Sequence, residues 1–235
     1  MTHTFHIPVL GLAFSIDSAI KVARYGISTV MSIVDDELIE RIRAYYCKLN
    51  QLAFRPIHKQ EEDYRASRIT AYLDLVKTLV EQQMETLKQQ PFTADSDLTK
   101  YFQLLPESHP ARPIYHAMEI ETNTSIKRQL QELLIGYVKP GEIDVNIMSK
   151  VDKLNFKNDV ALDQKYSDAS AALRGFVNST LHSAVILSAG MNPHLYAYLA
   201  ELPAFFPKTD STFDKKVVLK VSDFRSSLIQ AKYLA

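Results

Sequence analysis

An α/β fold, with strand-helix units at both ends and a helical stretch between them, is what this 235-residue chain predicts. Three observations point to it. Continuous apolar runs rich in β-branched residues occur near the N-terminus and again beyond residue 140. Helix-start residues follow most of those runs directly. The middle, from 61 to about 128, is instead charged and Gln-rich with apolar residues at helical spacing.

The first run, Ile7 to Phe14, is apolar without alternation, which predicts a strand covered on both faces of a parallel sheet. Asp17 or Ser18 then caps a helix through Ile20, Val22, Ala23 and Arg24, and Gly26 stands where a helix C-terminal glycine belongs. Ile27 to Val34 predicts the second strand, and Asp35-Asp36 caps a helix with Leu38, Ile39, Ile42 and Tyr45 on one face. Ile69, Leu73, Val76, Val80, Met84 and Leu87 then mark a long helix. Pro91, Pro106, Pro110 and Pro113 predict loop or turn, and a further helix is expected over 124–135. After Pro140-Gly141, Ile143 to Met148 reads as a third strand, followed by a polar stretch and a helix near 167–176. Ser183 to Gly190 is a fourth strand, with Asn192-Pro193 opening a helix through Leu195, Tyr198, Leu199 and Leu202. Lys216 to Val221 is a fifth, with Ser222 and Asp223 capping a helix that still runs at Ala235. The expected organisation is therefore 1–49 for the first two βα units, 50–139 for a helical insertion and 140–235 for the remaining three. Five parallel strands with right-handed crossovers make either an open doubly wound sheet or the first part of an eight-stranded barrel, whose first and fifth strands would be free edges.

Composition narrows the partners. With 46% hydrophobic residues the chain can build a sizeable core. Its 27 basic residues balance 27 acidic ones, so no overall field draws it to nucleic acid or an anionic membrane. No uncharged apolar run approaches the roughly 18–20 residues that span a bilayer, and the N-terminus lacks the basic leading region of a signal peptide. A lone cysteine, Cys47, suits a reducing compartment, so a cytoplasmic protein is expected.

The order of four segments carries a more specific likeness: PVLGLAFSIDSAIKVARYGISTVMSI, DVNIM, AVILSAG and VVLKVSDFRSSLIQAKYLA. Together they resemble the flavin-dependent barrels typified by nitronate monooxygenase, a pattern shared with the flavin-dependent enoyl-acyl-carrier-protein reductases. The resemblance covers roughly 6–36, 141–149 and 183–235. It implies a partial (β/α) TIM-type barrel of about five parallel strands, interrupted by a helical insertion foreign to typical members and ending before the C-terminal half. It also implies FMN as cofactor, a small-molecule substrate and an FMN-dependent oxidoreductase of the nitronate monooxygenase type. Carried over, the pattern puts the backbone of Gly11, Leu12 and Ala13 against the flavin ring, Asn146 in hydrogen bonding to it, and Lys220 near its electron-rich edge. The sixth strand, the Gly-Gly-His phosphate-binding segment and the catalytic His of that pattern would fall beyond Ala235, so no catalytic base is assigned.

The residues themselves leave alternatives open. Asn146, an amide in an apolar strand, needs partners that a ligand, the backbone or water can supply. Lys220 either faces a ligand or extends its ammonium to solvent from a strand end. Ser188 to Gly190 with the Asn192 helix start forms a candidate anion nest, which adds Ser188 to the cofactor-binding set. His182 with His194, and His109 with His116, lack the spacing and supporting ligands of a metal site, so none is assigned. Asp35, Asp36 and Glu37 fit helix capping, Asp17 a helix cap at a strand top, and Cys47 a buried small residue. Tyr45, Tyr46, Tyr64 and Tyr72 either cover the sheet or offer contact surface. The competing function is a non-catalytic α/β-helical interaction protein whose insertion binds a partner, with a second copy or that partner covering the free strand edges.

Overall fold

The computed structural model describes residues 16–232 except 34, 151, 158–159, 162, 189 and 210–211. The expected first strand, Ile7 to Phe14, and the sites at Gly11, Leu12 and Ala13 lie outside the described residues. The helices are α1 (Ser18–Val22), α2 (Asp36–Leu49), α3 (Tyr64–Lys88), α4 (Asp97–Leu104), α5 (Ala111–Ile120), α6 (Thr124–Ile135), α7 (Asp168–Asn178), α8 (Pro193–Leu199) and α9 (Phe224–Lys232). The strands are β1 (Thr29–Ile33), β2 (Ile143–Met148), β3 (Phe156–Lys157), β4 (Val160–Ala161), β5 (Ala184–Ser188) and β6 (Lys216–Leu219).

The chain divides into two compact units. The first contains Asp17–Thr29 and Thr78–Glu142. Its centre is aromatic: Phe102 stacks on Phe92 at 5.7 Å and on Tyr115 at 5.6 Å, with Tyr101 edge-on at 5.1 Å. The Tyr101 hydroxyl ties α4 to the chain after α6, accepting from the Lys139 N–H at 3.1 Å. Burial and the neighbouring Glu119 push the Tyr115 phenol up to about 12. The proline-punctuated stretch predicted loop, yet α4 and most of α5 lie within or beside it. Pro110 stands at the N-cap of α5 and Pro113 in its first turn, where N–H groups have no intrahelical acceptor and a proline removes nothing. α6 spans 124–135 as expected.

The second unit contains Val30–Lys77 and the chain from Ile143 on. It carries a four-stranded sheet in the order β1-β2-β5-β6, with β2–β5 and β5–β6 parallel. β3 and β4 form a separate antiparallel pair inside the polar stretch, which the sequence reading did not contain. Among the described residues the main sheet therefore has four strands where about five were expected, and the fifth falls on the undescribed N-terminus. Caps follow sequence closely. Asp35 accepts the N–H groups of Glu37 and Leu38, Ser167 that of Ser170, Asn192 that of Leu195 and Asp223 that of Ser226. α8 stops at Leu199, short of the expected Leu202, because a turn and the Pro203–Phe205 3-10 helix follow. Asp17 stands at the N-cap of α1 as expected, buried and without a side-chain cap hydrogen bond.

Strand order explains which face is covered. The order never reverses, so crossovers of one hand carry their helices to one face. On that face Met31, Ile33, Val145, Ile147, Val185 and Leu187 are buried. α3 and α7 pack there: Ile69, Ala169 and Ala172 surround Ile33 and Ile147. α3 and α7 meet at Gly175, where a Cβ would come within 2.7 Å of the Ile69 side chain and 2.8 Å of the Ala66 carbonyl. The opposite face carries Val30, Ser32, Asp144, Asn146, Met148, Ile186 and Val218, and both Val30 (42%) and Val218 (44%) are exposed. The strand at Lys216 to Leu219, expected to be buried on both faces, has one face exposed. Among the described strands only β5, flanked on both sides by β2 and β6, comes close to burial on both faces.

Candidate functional site

Alternation along parallel, in-register strands puts side chains two residues apart on the same face. Asn146 pairs with Ile186 and Met148 with Ser188, so the residues that follow each strand in phase converge at one end of the open face. A cleft of about 750 Å³ lies there, at the C-terminal ends of β2, β5 and β6. Three of the residues singled out by sequence, Asn146, Ser188 and Lys220, line it together. C-terminal strand ends are where α/β proteins hold their ligands.

The rim is pinned by side chains. The Ser149 hydroxyl donates to the Ser188 carbonyl at 2.7 Å and to that of Gly190 at 2.6 Å, and the Ser149 N–H also reaches Ser188 O at 2.9 Å. The Asn192 amide donates to Ser149 O and to Asp152, both at 2.9 Å, while its oxygen caps α8. Asp152 in turn accepts from Ser167 and the Ala169 N–H, at the start of α7. The turns after β2 and β5 are therefore one hydrogen-bonded body, which pre-sets the cleft wall. Gly190 has φ of +106°, a backbone conformation that disfavours a side chain, and the Lys150 stem lies beside it. The expected nest at Ser188 to Gly190 includes Ala189, which is outside the described residues.

The Asn146 amide donates to the Ser32 hydroxyl at 3.2 Å, so a protein partner meets one of its hydrogen-bonding positions and others face the cleft. Lys220 was expected in a strand buried on both faces. It instead follows an edge strand with an exposed face, its backbone N–H still bonded to Leu187 O at 3.0 Å, and its ammonium needs no buried counter-charge. Neither the Lys150 nor the Lys220 side chain has a hydrogen-bond or ion-pair partner among the described residues. Among the described residues the cleft lining contains no carboxylate, histidine or cysteine. Sequence reasoning missed Ser32 and Lys150. Ser32 follows from alternation, on β1 opposite Asn146, whereas Lys150 stands in the turn directly after β2.

A smaller cavity of about 200 Å³ lies on the covered face, lined by Asp35, Asp36, Arg65 and Asp168. Its charges answer one another. Asp36 binds Arg65 at 3.1 Å and Arg68 at 2.6 Å, and Arg65 approaches Asp168 at 2.7 Å, close but not aligned as a hydrogen bond. Burial pushes the Asp168 carboxyl up, against the pull of Arg65. Glu37 pairs with Lys59. The Asp35 to Glu37 cluster is thus accounted for by capping and ion pairs.

His182, His194 and His116 are exposed and His109 half-buried, and no three His, Cys, Asp or Glu side chains gather as a metal site among the described residues. Cys47 is buried, and burial raises its thiol. Tyr46 and Tyr72 are buried, whereas Tyr45 is 60% exposed. No described helix is long and apolar enough to cross a membrane. Comparison with protein-family models, curated proteins and solved structures gives no match to this chain.

Proposed function

We propose that the cleft at the strand ends is a flavin mononucleotide site and that the protein is an oxidoreductase of the nitronate monooxygenase type, its sheet a sector of a TIM-type barrel. The observation that carries this reading is the convergence of Asn146, Ser188 and Lys220 on one cleft. The unreversed strand order supports the barrel sector, since a doubly wound sheet reverses at its switch point. The open face, with Ser32 and Asn146 on it, has the polarity of a ligand-bearing interior.

The residues present fit such a group. Gly190 lets a planar ligand approach the end of β5. Asn146 offers amide positions that Ser32 does not use, and Lys220 brings an unpaired positive charge. Bound flavin supplies hydride or single-electron transfer, and the protein's part is to bind, orient and tune it. Lys220 would favour the more negative, reduced form, and the Ser149 to Asn192 body would hold the wall rigid. Proton transfer is assigned to no cleft residue, because none of the described lining side chains is an acid or base suited to neutral pH. The test is titration of the purified chain with FMN, read by flavin fluorescence and visible absorbance. Saturable binding that Lys220→Met and Asn146→Ala each weaken supports the site; absence of binding by the unaltered chain removes it.

A second reading, the non-catalytic interaction protein, is favoured by one observation. On α9, Phe224 (78%), Leu228 (57%) and Ile229 (44%) are exposed beside the edge strand β6. An apolar helix face at a sheet edge is a surface for a partner or a second copy. Light scattering after size-exclusion chromatography decides: a dimer dispersed by Leu228→Glu supports it, and a monomer at all concentrations counts against it.

A further inference from the structure

We infer that Lys150 is an oxyanion-binding residue, holding a phosphate or carboxylate group at the mouth of the cleft. This rests on the cleft described for the flavin reading, though not on flavin being its occupant. Three observations carry it. First, the chain is charge-balanced overall, yet among the described residues the cleft lining has two lysines and no carboxylate. Second, the buried cations of the same unit are satisfied within the protein, Arg43 by Glu40, Arg68 by Asp36 and Lys215 by the Ser179 and Leu181 carbonyls, whereas the side chains of Lys150 and Lys220 are exposed and have no hydrogen-bond or ion-pair partner among the described residues. Third, the two lysines follow β2 and β6, the strands on either side of β5, and both line the cleft at the end of β5. Between them the end of β5 presents Ser188 and the side-chain-free Gly190.

The neighbouring carboxylates point the anion towards Lys150. Asp223 follows Lys220 by three residues and accepts from Ser222 and from Ser226, so a fixed negative charge sits beside that flank of the cleft and occupies its hydroxyls. Those hydrogen bonds hold Asp223 below the usual carboxylate range. On the other flank the Asp152 oxygens are taken by Ser167, the Ala169 N–H and Asn192. The Lys150 stem rests beside Gly190, 3.4 Å from where a Cβ would be, which directs the chain along the rim. An ammonium so placed binds an oxyanion as a point charge, with Lys220 adding to the field.

The oxyanion has two sources, the flavin's own phosphate or a separate small anionic substrate, and the experiment distinguishes them. Inorganic phosphate is titrated into the full chain by calorimetry at fixed ionic strength, using wild type, Lys150→Met and Lys150→Arg. The expected result is saturable binding that weakens at least about tenfold in Lys150→Met, the scale of one charge-assisted hydrogen bond, and is largely kept in Lys150→Arg. Equal binding by wild type and Lys150→Met, or no binding by wild type, overturns the inference. If FMN displaces phosphate and riboflavin does not, the oxyanion is the cofactor's. If phosphate stays bound beside FMN, it belongs to a substrate. Phosphate binding without flavin binding upholds Lys150 and removes the flavin reading.

Discussion

The two faces of the parallel sheet differ more than its strands do. On one, Val145 and Ile147 of β2 meet Val185 and Leu187 of β5 under α3 and α7, all four buried. One residue along the same strands, Asn146 and Met148 line an open cleft with Ser188. The same backbone thus serves two purposes: burial of apolar area stabilises through one face, while polar groups on the other stay available to a ligand. Substitutions at consecutive positions should therefore read out different properties.

The sharpest break of this comparison is at positions 146 and 147. Ile147 is 2% exposed, and truncation to alanine loses its transfer free energy and leaves a cavity under α3 and α7. Ile147→Ala is expected to destabilise the fold by about 2–5 kcal/mol in urea unfolding. Asn146→Ala removes one hydrogen bond, to Ser32, from a half-buried site and should destabilise by about 1 kcal/mol or less. Equal losses at the two positions would mean that the open face is also load-carrying core.

Lysines sharpen the same contrast. Lys215, in phase with Val217, points to the covered side. It is 4% exposed, donates to the carbonyls of Ser179 (2.9 Å) and Leu181, and lies 4.7 Å from the Phe176 ring centroid. Burial holds its ammonium below the ordinary lysine value, with Asp74 and Asp214 only partly offsetting. In the unfolded chain the same amine takes up its proton more readily, so the unfolded state binds more protons only between the lowered folded-state value and the ordinary one of about 10.5. Stability should accordingly rise as pH climbs from the folded-state value towards the unfolded one. Lys215→Met strands two carbonyls and should cost about 1–3 kcal/mol near neutrality, flattening that rise. Lys150→Met and Lys220→Met, on the open side, should leave the unfolding curve almost unchanged. The readout is the urea midpoint against pH for the three variants.

What sequence could see of this follows from what is local. The caps at Asp35, Ser167, Asn192 and Asp223, and strands 143–148 and 184–188, depend on a few neighbouring residues and were legible. Which face of a strand is covered depends on where α3 and α7 pack, and that information is spread over more than a hundred residues; continuous apolar runs such as Ser183 to Gly190 mask it. α4 and α5 were hidden because prolines at a helix start look like prolines in a loop. Asn146 and Lys220 were reached through a family likeness and Ser188 through a candidate anion nest at a strand end, whereas Lys150 lies in the turn after β2 and means nothing until the open face and its cleft are known.

The smallest expected effect tests the open face at its apolar end. Val218 is in register with Ile186 and points away from α3 and α7, with 44% of its surface exposed. Valine and threonine have nearly the same shape and both suit a strand. Where a site is solvated, the added hydroxyl keeps its water and the exchange falls within about 0.5 kcal/mol. At buried Val185, one strand over on the covered face, the same exchange places a hydroxyl where water is excluded and should cost about 1–3 kcal/mol. Measured together, Val218→Thr and Val185→Thr separate the two faces with one chemistry. A Val218→Thr loss as large as that at Val185 would show that another surface, from a second copy or a partner, covers the open face in solution.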